Sequence, residues 1–227
     1  MRTAAFALAL TIALGCSMPE RSGHAQSTEI PPQGADAVTA ESITSPETCR
    51  VQLDARHVSF SFAPPVAEGD CEIPLPVKLR SMATDDTVIT FGAEPLLDCR
   101  LAVRLTDWIG NVVEPLALHH LKSGLTAIET GPGYACRNQN NAATGKRSEH
   151  AKGNAIDIAT FALSDGTRIA LRPTDQPTPA VTAFLAAVRA TACGYFLTVL
   201  GPGSDAAHAE HLHLDLRART AGFRICQ

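Results

Sequence analysis

No stretch of this chain concentrates positive charge: its 19 lysines and arginines are scattered among 23 acids, for a formal net charge of −4. A nucleic-acid binder needs a basic face, so that class of partner is set aside. There is no internal repeat and no Cys-x-x-Cys pair of the kind that marks a compact metal or redox site. Nor does the N-terminal apolar run from Ala4 to Leu14, preceded by Arg2, reach the length needed to cross a bilayer. It reads instead as a secretory signal, residues 1–16. "ALGC" ends at Cys16 like a lipoprotein box, with Ala13 where leucine is preferred. A lipidated Cys16 would attach the protein to a membrane, as a periplasmic or outer-membrane lipoprotein. Cleavage after Ala25 is the alternative and would give a freely exported chain.

What is present points to one ordinary domain. Of 227 residues, 45% are hydrophobic, enough for a core that does not depend on a metal. Residues 17–46, rich in Ser, Pro, Gly, Ala and Thr without apolar periodicity, read as a tether. Residues 47–227 form the folded part. Beyond Cys16, six cysteines remain, and an even number in an exported chain predicts three disulfides in an oxidising compartment. Local closure favours Cys49–Cys71, while Cys226 ties back to a distant partner.

From Cys49 to Val77 the pattern is short and irregular, with "APP" and "PLP" breaking any helix. "DTVITFG" is a strand. Leu97, Leu101, Leu105, Trp108, Val112 and Leu116 then recur at helical spacing as one buried stripe, which Pro115 ends or kinks. His119 and His120 close it, where positive charge meets the negative helix pole. "LTAIET" and "NAIDIATF" are strands separated by a Gly- and Asn-rich loop. "TPAVTAFLAAVRATAC" is a helix with Thr178 as N-cap, and "YFLTVLG" and "HLHLDLR" are further strands. Without strict βαβ alternation, the fold class is α+β, a mostly antiparallel sheet with packed helices.

"SEHAKGNAID" and "AEHLHLDLR" carry the chemistry. Asp157 sits in an apolar strand, where a lone carboxylate is costly unless a cation lies beside it. Alternation on a strand turns His211, His213 and Asp215 to one face. Glu210 would point away unless the preceding turn swings it inward. Taken singly, these histidines are surface residues; together they suggest a hydrolytic zinc site, which takes three protein ligands and leaves one position for water. His208 and Asp215 are candidates to orient a ligand imidazole. Gly131, Gly133 and Tyr134 shape a turn, Trp108 is core, and Lys146 and Lys152 are solvated.

"SEHAKGNAID" resembles the Ser-x-His-x-x-Gly-x-Ala-x-Asp pattern of the lysostaphin, D-Ala-D-Ala carboxypeptidase and hedgehog-type zinc peptidases, and "EHLH" resembles their ending. The resemblance implies a fold of that type with His150, Asp157 and His213 as metal ligands. It further implies Glu210 as general base and His211 as a helper at the transition state. Arg137 of "GPGYACR" is similar to their substrate-facing arginine, although two residues separate it from Tyr134. Over the span from about Thr48 to Ile225, the chain also resembles the bacterial extensin-like C-terminal domain family. The activity implied is zinc-assisted hydrolysis of cell-wall peptides, with the stem peptide of peptidoglycan as partner. A metal-holding wall-binding module without turnover, or a disulfide-stapled adhesin without metal, are the alternatives.

Overall fold

The computed structural model describes residues 43–172 and 176–227. The expected signal segment, Cys16 and the tether up to residue 42 lie outside these. Ile43 is buried in the core, and Ser45 caps helix α1, Pro46–Asp54. The Ser45 hydroxyl accepts from the Thr48 amide and the Thr48 hydroxyl accepts from the Ser45 amide. Pro46 occupies the first turn, where a missing N–H costs nothing. This short helix runs into the segment from Cys49 to Val77, whose pattern predicted no helix. The prolines that break the pattern lie further on, among the strands.

Six strands follow: β1 Val58–Phe62, β2 Val66–Glu68, β3 Cys71–Ile73, β4 Pro76–Ala83, β5 Val88–Phe91 and β6 Leu96–Asp98. The predicted long helix begins at Cys99, with the Asp98 carboxylate accepting from the Arg100 amide as its cap. It runs as α2 Cys99–Trp108, a π-turn Ile109–Val113, and α3 Glu114–Leu121. Pro115 explains the break: it has no N–H to give to a carbonyl one turn back. The chain absorbs the fault in the wider turn, and α3 restarts with Pro115 in its first turn. The remaining elements are β7 Leu125–Thr130, β8 Ala155–Leu163, β9 Arg168–Ala170, α4 Pro179–Tyr195, β10 Thr198–Leu200, β11 Leu212–Asp215 and β12 Ile225–Cys226.

Ten strands make one sheet, in the order β1-β4-β5-β7-β8-β11-β10-β12, with β6 beside β4 and β9 beside β8. Pairing is antiparallel except for β5 with β7 and β10 with β12. β2 and β3 form a separate hairpin. The fold is thus mixed α+β and predominantly sheet. Leu101, Leu105 and Trp108 of α2 are fully buried. Trp108 meets Phe196 edge to face at 5.5 Å, and Phe161 of β8 meets Phe184 of α4 in the same way at 5.5 Å. These contacts press α2 and α4 onto the sheet and hold its central strands in place.

Three cysteine pairs lie at disulfide distance: Cys49–Cys99, Cys71–Cys136 and Cys193–Cys226. The expected Cys49–Cys71 link is not formed. Loop-closure entropy grows only logarithmically with length, so local closure offers little advantage over the tertiary partner that packing brings close. Cys49 instead ties α1 to the start of α2, and Cys71 fastens β3 to the loop after β7. Cys226 joins β12 to the end of α4.

Gly153, between His150 and β8, has φ +59 and its carbonyl accepts from the Asp98 amide at 2.8 Å. A Cβ there would come within 2.7 Å of Ile73 Cδ1 and 2.8 Å of the Asp98 nitrogen. Gly153→Ala is therefore expected to destabilise the fold by about 1–3 kcal/mol, from left-handed strain and overpacking together. Thermal unfolding measures this; an unchanged midpoint would show that the turn tolerates a side chain.

Candidate metal centre

The antiparallel register of β8 and β11 sets His213 directly opposite Asp157. Opposed residues share a face and bring their side chains together, and here His213 Nδ1 lies 2.9 Å from Asp157 Oδ1. His150 arrives from a short 3₁₀ turn, Glu149–Lys152, capped by the Ser148 hydroxyl and ended by Gly153. That turn carries His150 Nε2 to 3.2 Å from Asp157 Oδ2 and 3.3 Å from His213 Nδ1. His150, Asp157 and His213 thus each offer a donor atom within 4.8 Å of the others.

The far side of each imidazole is held. His150 Nδ1 lies 2.6 Å from the Gly133 carbonyl, which can only accept, so Nδ1 carries a proton and Nε2 is the nitrogen turned to the cluster. Gly133 has φ +78, and a Cβ would strike the Leu96 carbonyl at 2.5 Å; no other residue fits this turn. His213 Nε2 donates to Asp215 Oδ2 at 3.2 Å, which directs Nδ1 inward. Two nitrogens, each imidazole steadied from behind, and a carboxylate drawn together have the donor chemistry of a divalent transition-metal site.

Charge is finely balanced here. Burial raises the Asp157 pKa, but hydrogen bonds from His150 and His213 and their charge outweigh it and hold the carboxyl well below its usual range. Burial pulls His213 down, yet its bonds to Asp157 and Asp215 prevail and raise it to about 9. In the metal-free chain a proton on Nδ1 thus takes the place that a cation would fill, so metal uptake must release it.

The cluster opens into a cavity of about 420 Å³. His211 and His208 line it beside His213 and Asp215, and Arg137 lies across it. His211 Nε2 is 3.5 Å from Asp157 Oδ1, and burial lowers its pKa. The His208 ring meets those of His211 and His213 at steep angles, with centroids 5.4 Å from each, and its Nδ1 donates to Asp205 at 2.7 Å. Asp205 also caps the 3₁₀ turn that carries His208. Arg137 is half-buried, and among the described residues no carboxylate lies within ion-pair distance of it.

Five of the six residues singled out from the sequence therefore meet at one cavity: His150, Asp157, His213, His211 and Arg137. Glu210 does not. It is exposed in the bend before β11 and is not among the residues lining the cavity. His208 stands closer to the cluster than its second-rank reading implied, and the His-x-x-His-x-His spacing of residues 208, 211 and 213 was the available signal. Gly133 contributes a backbone carbonyl, which has no signature in sequence.

The His213 pKa gives a pH test for the metal-free chain. Its folded value, about 9, lies above the ordinary 6.5, so the stabilisation is complete below about pH 6.5 and is lost as pH rises through about 9. With chelator present, the thermal midpoint is expected to fall across that window and to lose this dependence in His213→Gln. A flat profile in the unaltered chain would mean that His213 is not ion-paired in the fold.

The sequence profile of the family described as "Extensin-like protein C-terminus" matches residues 47–227. No curated protein and no solved structure matches the chain. The match covers all of the sheet, all but the first residue of α1, and every residue of the cavity. The chain belongs to the extensin-like protein C-terminus family.

Proposed function

We propose that the protein is a zinc-dependent hydrolase of cell-wall peptides, cutting peptidoglycan stem peptides as a carboxypeptidase or endopeptidase in the envelope after export. The observation that carries this reading is the convergence of His150, Asp157 and His213 in a cavity that also holds two further histidines and an arginine. Two nitrogens and one oxygen, with open space beside them, suit zinc in hydrolytic sites. The likeness of "SEHAKGNAID" to the zinc-peptidase pattern supports the same metal and the same fold type. Lipidated Cys16 would keep the enzyme at the membrane.

Zinc bound there supplies a Lewis acid for the scissile carbonyl and acidifies water to near neutrality. The chain's own groups provide the rest. His211, kept neutral by burial, accepts the proton of the attacking water. His211 then hands that proton to the leaving amine, and His208, held by Asp205, lines the same wall. Arg137, without an acidic partner, offsets charge developing on the carbonyl oxygen. Asp215 holds His213 in its ligating tautomer. The resemblance implies Glu210 as the base; because Glu210 is exposed and outside the cavity lining, this reading gives that role to His211.

A second reading, a metal-holding wall-binding module without turnover, is favoured by that same exposure of Glu210. It predicts retention on sacculi with no new amines.

The purified chain is expected to bind one equivalent of zinc and to release amines from muropeptides, losing activity to chelator and regaining it with zinc. His211→Ala should lower kcat about 10²–10⁴-fold, whereas Glu210→Gln should leave kcat unchanged. An inactive Glu210→Gln would restore the base role to that carboxylate. No amine release by the fully metallated protein would sink the hydrolase reading. Asp215→Asn should weaken zinc about 10–100-fold in a competitive chelator titration; unchanged affinity would remove its orienting role.

A further inference from the structure

Away from the metal cavity, positive charge gathers in a way the chain's acidic total conceals. Glu149 and Arg217 border both that cavity and a second one of about 540 Å³. The second is lined by Arg100, Lys146, Arg147, Lys152 and Arg217, with Glu149 its sole carboxylate. Arg100, Asn154, Leu216 and Ala218 in turn border a third cavity, of about 280 Å³. Lys152 pairs with Glu149 at 3.3 Å and Arg147 with Asp70 at 3.7 Å. Among the described residues Lys146 and Arg217 are thus the cations of this wall without a carboxylate, and the wall continues from the metal centre to the smaller cavity.

The third cavity is lined by Arg100, Arg104 and Arg224 and by no acid. Arg100 is neutralised by Asp98, its Nε donating at 2.8 Å. Among the described residues, neither Arg104 nor Arg224 has a carboxylate within ion-pair distance. Arg224 is anchored through Nη1, which donates to the Cys193 carbonyl at 2.7 Å and the Gly194 carbonyl at 3.2 Å. Arg104 Nε is enclosed and has no hydrogen-bond partner. An enclosed cationic donor left unpaired is costly, and a second uncompensated guanidinium on the same cavity adds repulsion. Leu197, Leu216 and Tyr195 complete the wall, so the cationic end faces an apolar flank.

We propose that this cavity is a carboxylate subsite, taking an anion carried on a short aliphatic group such as the C-terminal residue of a peptide. The guanidiniums of Arg104 and Arg224 bind the carboxylate, and Leu197 and Leu216 receive the aliphatic part. The apolar flank favours this ligand over bare phosphate. That the same acidic peptide spans this wall and enters the metal cavity rests on the proposed function; the subsite itself does not.

The test uses the full chain with chelator present, so that its outcome is independent of the metal centre. Backbone amide shifts of Asn154, Leu216 and Ala218 are followed during titration with N-acetyl-alanyl-alanine, with its C-terminal amide, and with inorganic phosphate. The free acid is expected to saturate these shifts, binding at least about tenfold more tightly than the amide, the discrimination that one charge-assisted contact supports. Phosphate is expected to bind more weakly than the acid. Arg104→Gln and Arg224→Gln should each remove most of the preference for acid over amide while leaving the thermal midpoint near that of the unaltered chain. Arg224 is exposed, so its variant reports on binding even if Arg104→Gln fails to fold. Equal binding of acid and amide, phosphate as tight as the acid, or a preference that survives Arg224→Gln would each overturn the assignment.

Discussion

Everything at the candidate site depends on a single cross-strand pair. Asp157 and His213 are partners in the register of β8 and β11, so the sheet itself sets their separation. Asp157 lies within an otherwise apolar strand and is stable as an anion because His150 and His213 lean on it. Neither imidazole is free to turn, since Gly133 holds one and Asp215 the other. The arrangement is rigid at the ligating atoms and open towards solvent. That combination is what preorganised metal chemistry needs, because little reorganisation is left for the moment of binding.

The two halves of the site are built differently. His213 and Asp157 ride on central, paired strands of the sheet, whereas His150, Arg137 and His208 come from turns. Each of those turns is pinned by a local device: the Gly153 contact with the Asp98 backbone, the Cys71–Cys136 bridge one residue before Arg137, and the Asp205 cap under His208.

Much of this was legible in the chain because its signals are local. The alternation in "HLHLD" and the apolar run of "AIDIATF" identify strands, and Thr178 with Pro179 marks the start of α4. The spacing of His150 and Asp157 around Gly153 brings both into view. Other features were not legible because they depend on tertiary neighbours. Cys71 could not be matched with Cys136 until the β2–β3 hairpin was seen against the loop after β7. Glu210 reads as a companion of the ligands on spacing alone, but the bend before β11 turns it to solvent. Lys146 and Lys152, which look like ordinary surface charges, share a wall with Arg100 and Arg217 only once distant segments fold together. Ser45 and Pro46 did signal a helix start, but the proline-rich stretches downstream obscured it.

The bridge between Cys71 and Cys136 has a consequence for when the site comes into being. Arg137 adjoins a cysteine whose tether to β3 is a covalent bond rather than packing alone. While thiols are kept reduced, that tether is absent and the arginine is left to the backbone bonds of its own loop, such as that from the Ser148 amide to its carbonyl. Oxidation then clamps it beside the histidines. The covalent part of that hold is thus open only where electrons can be given up.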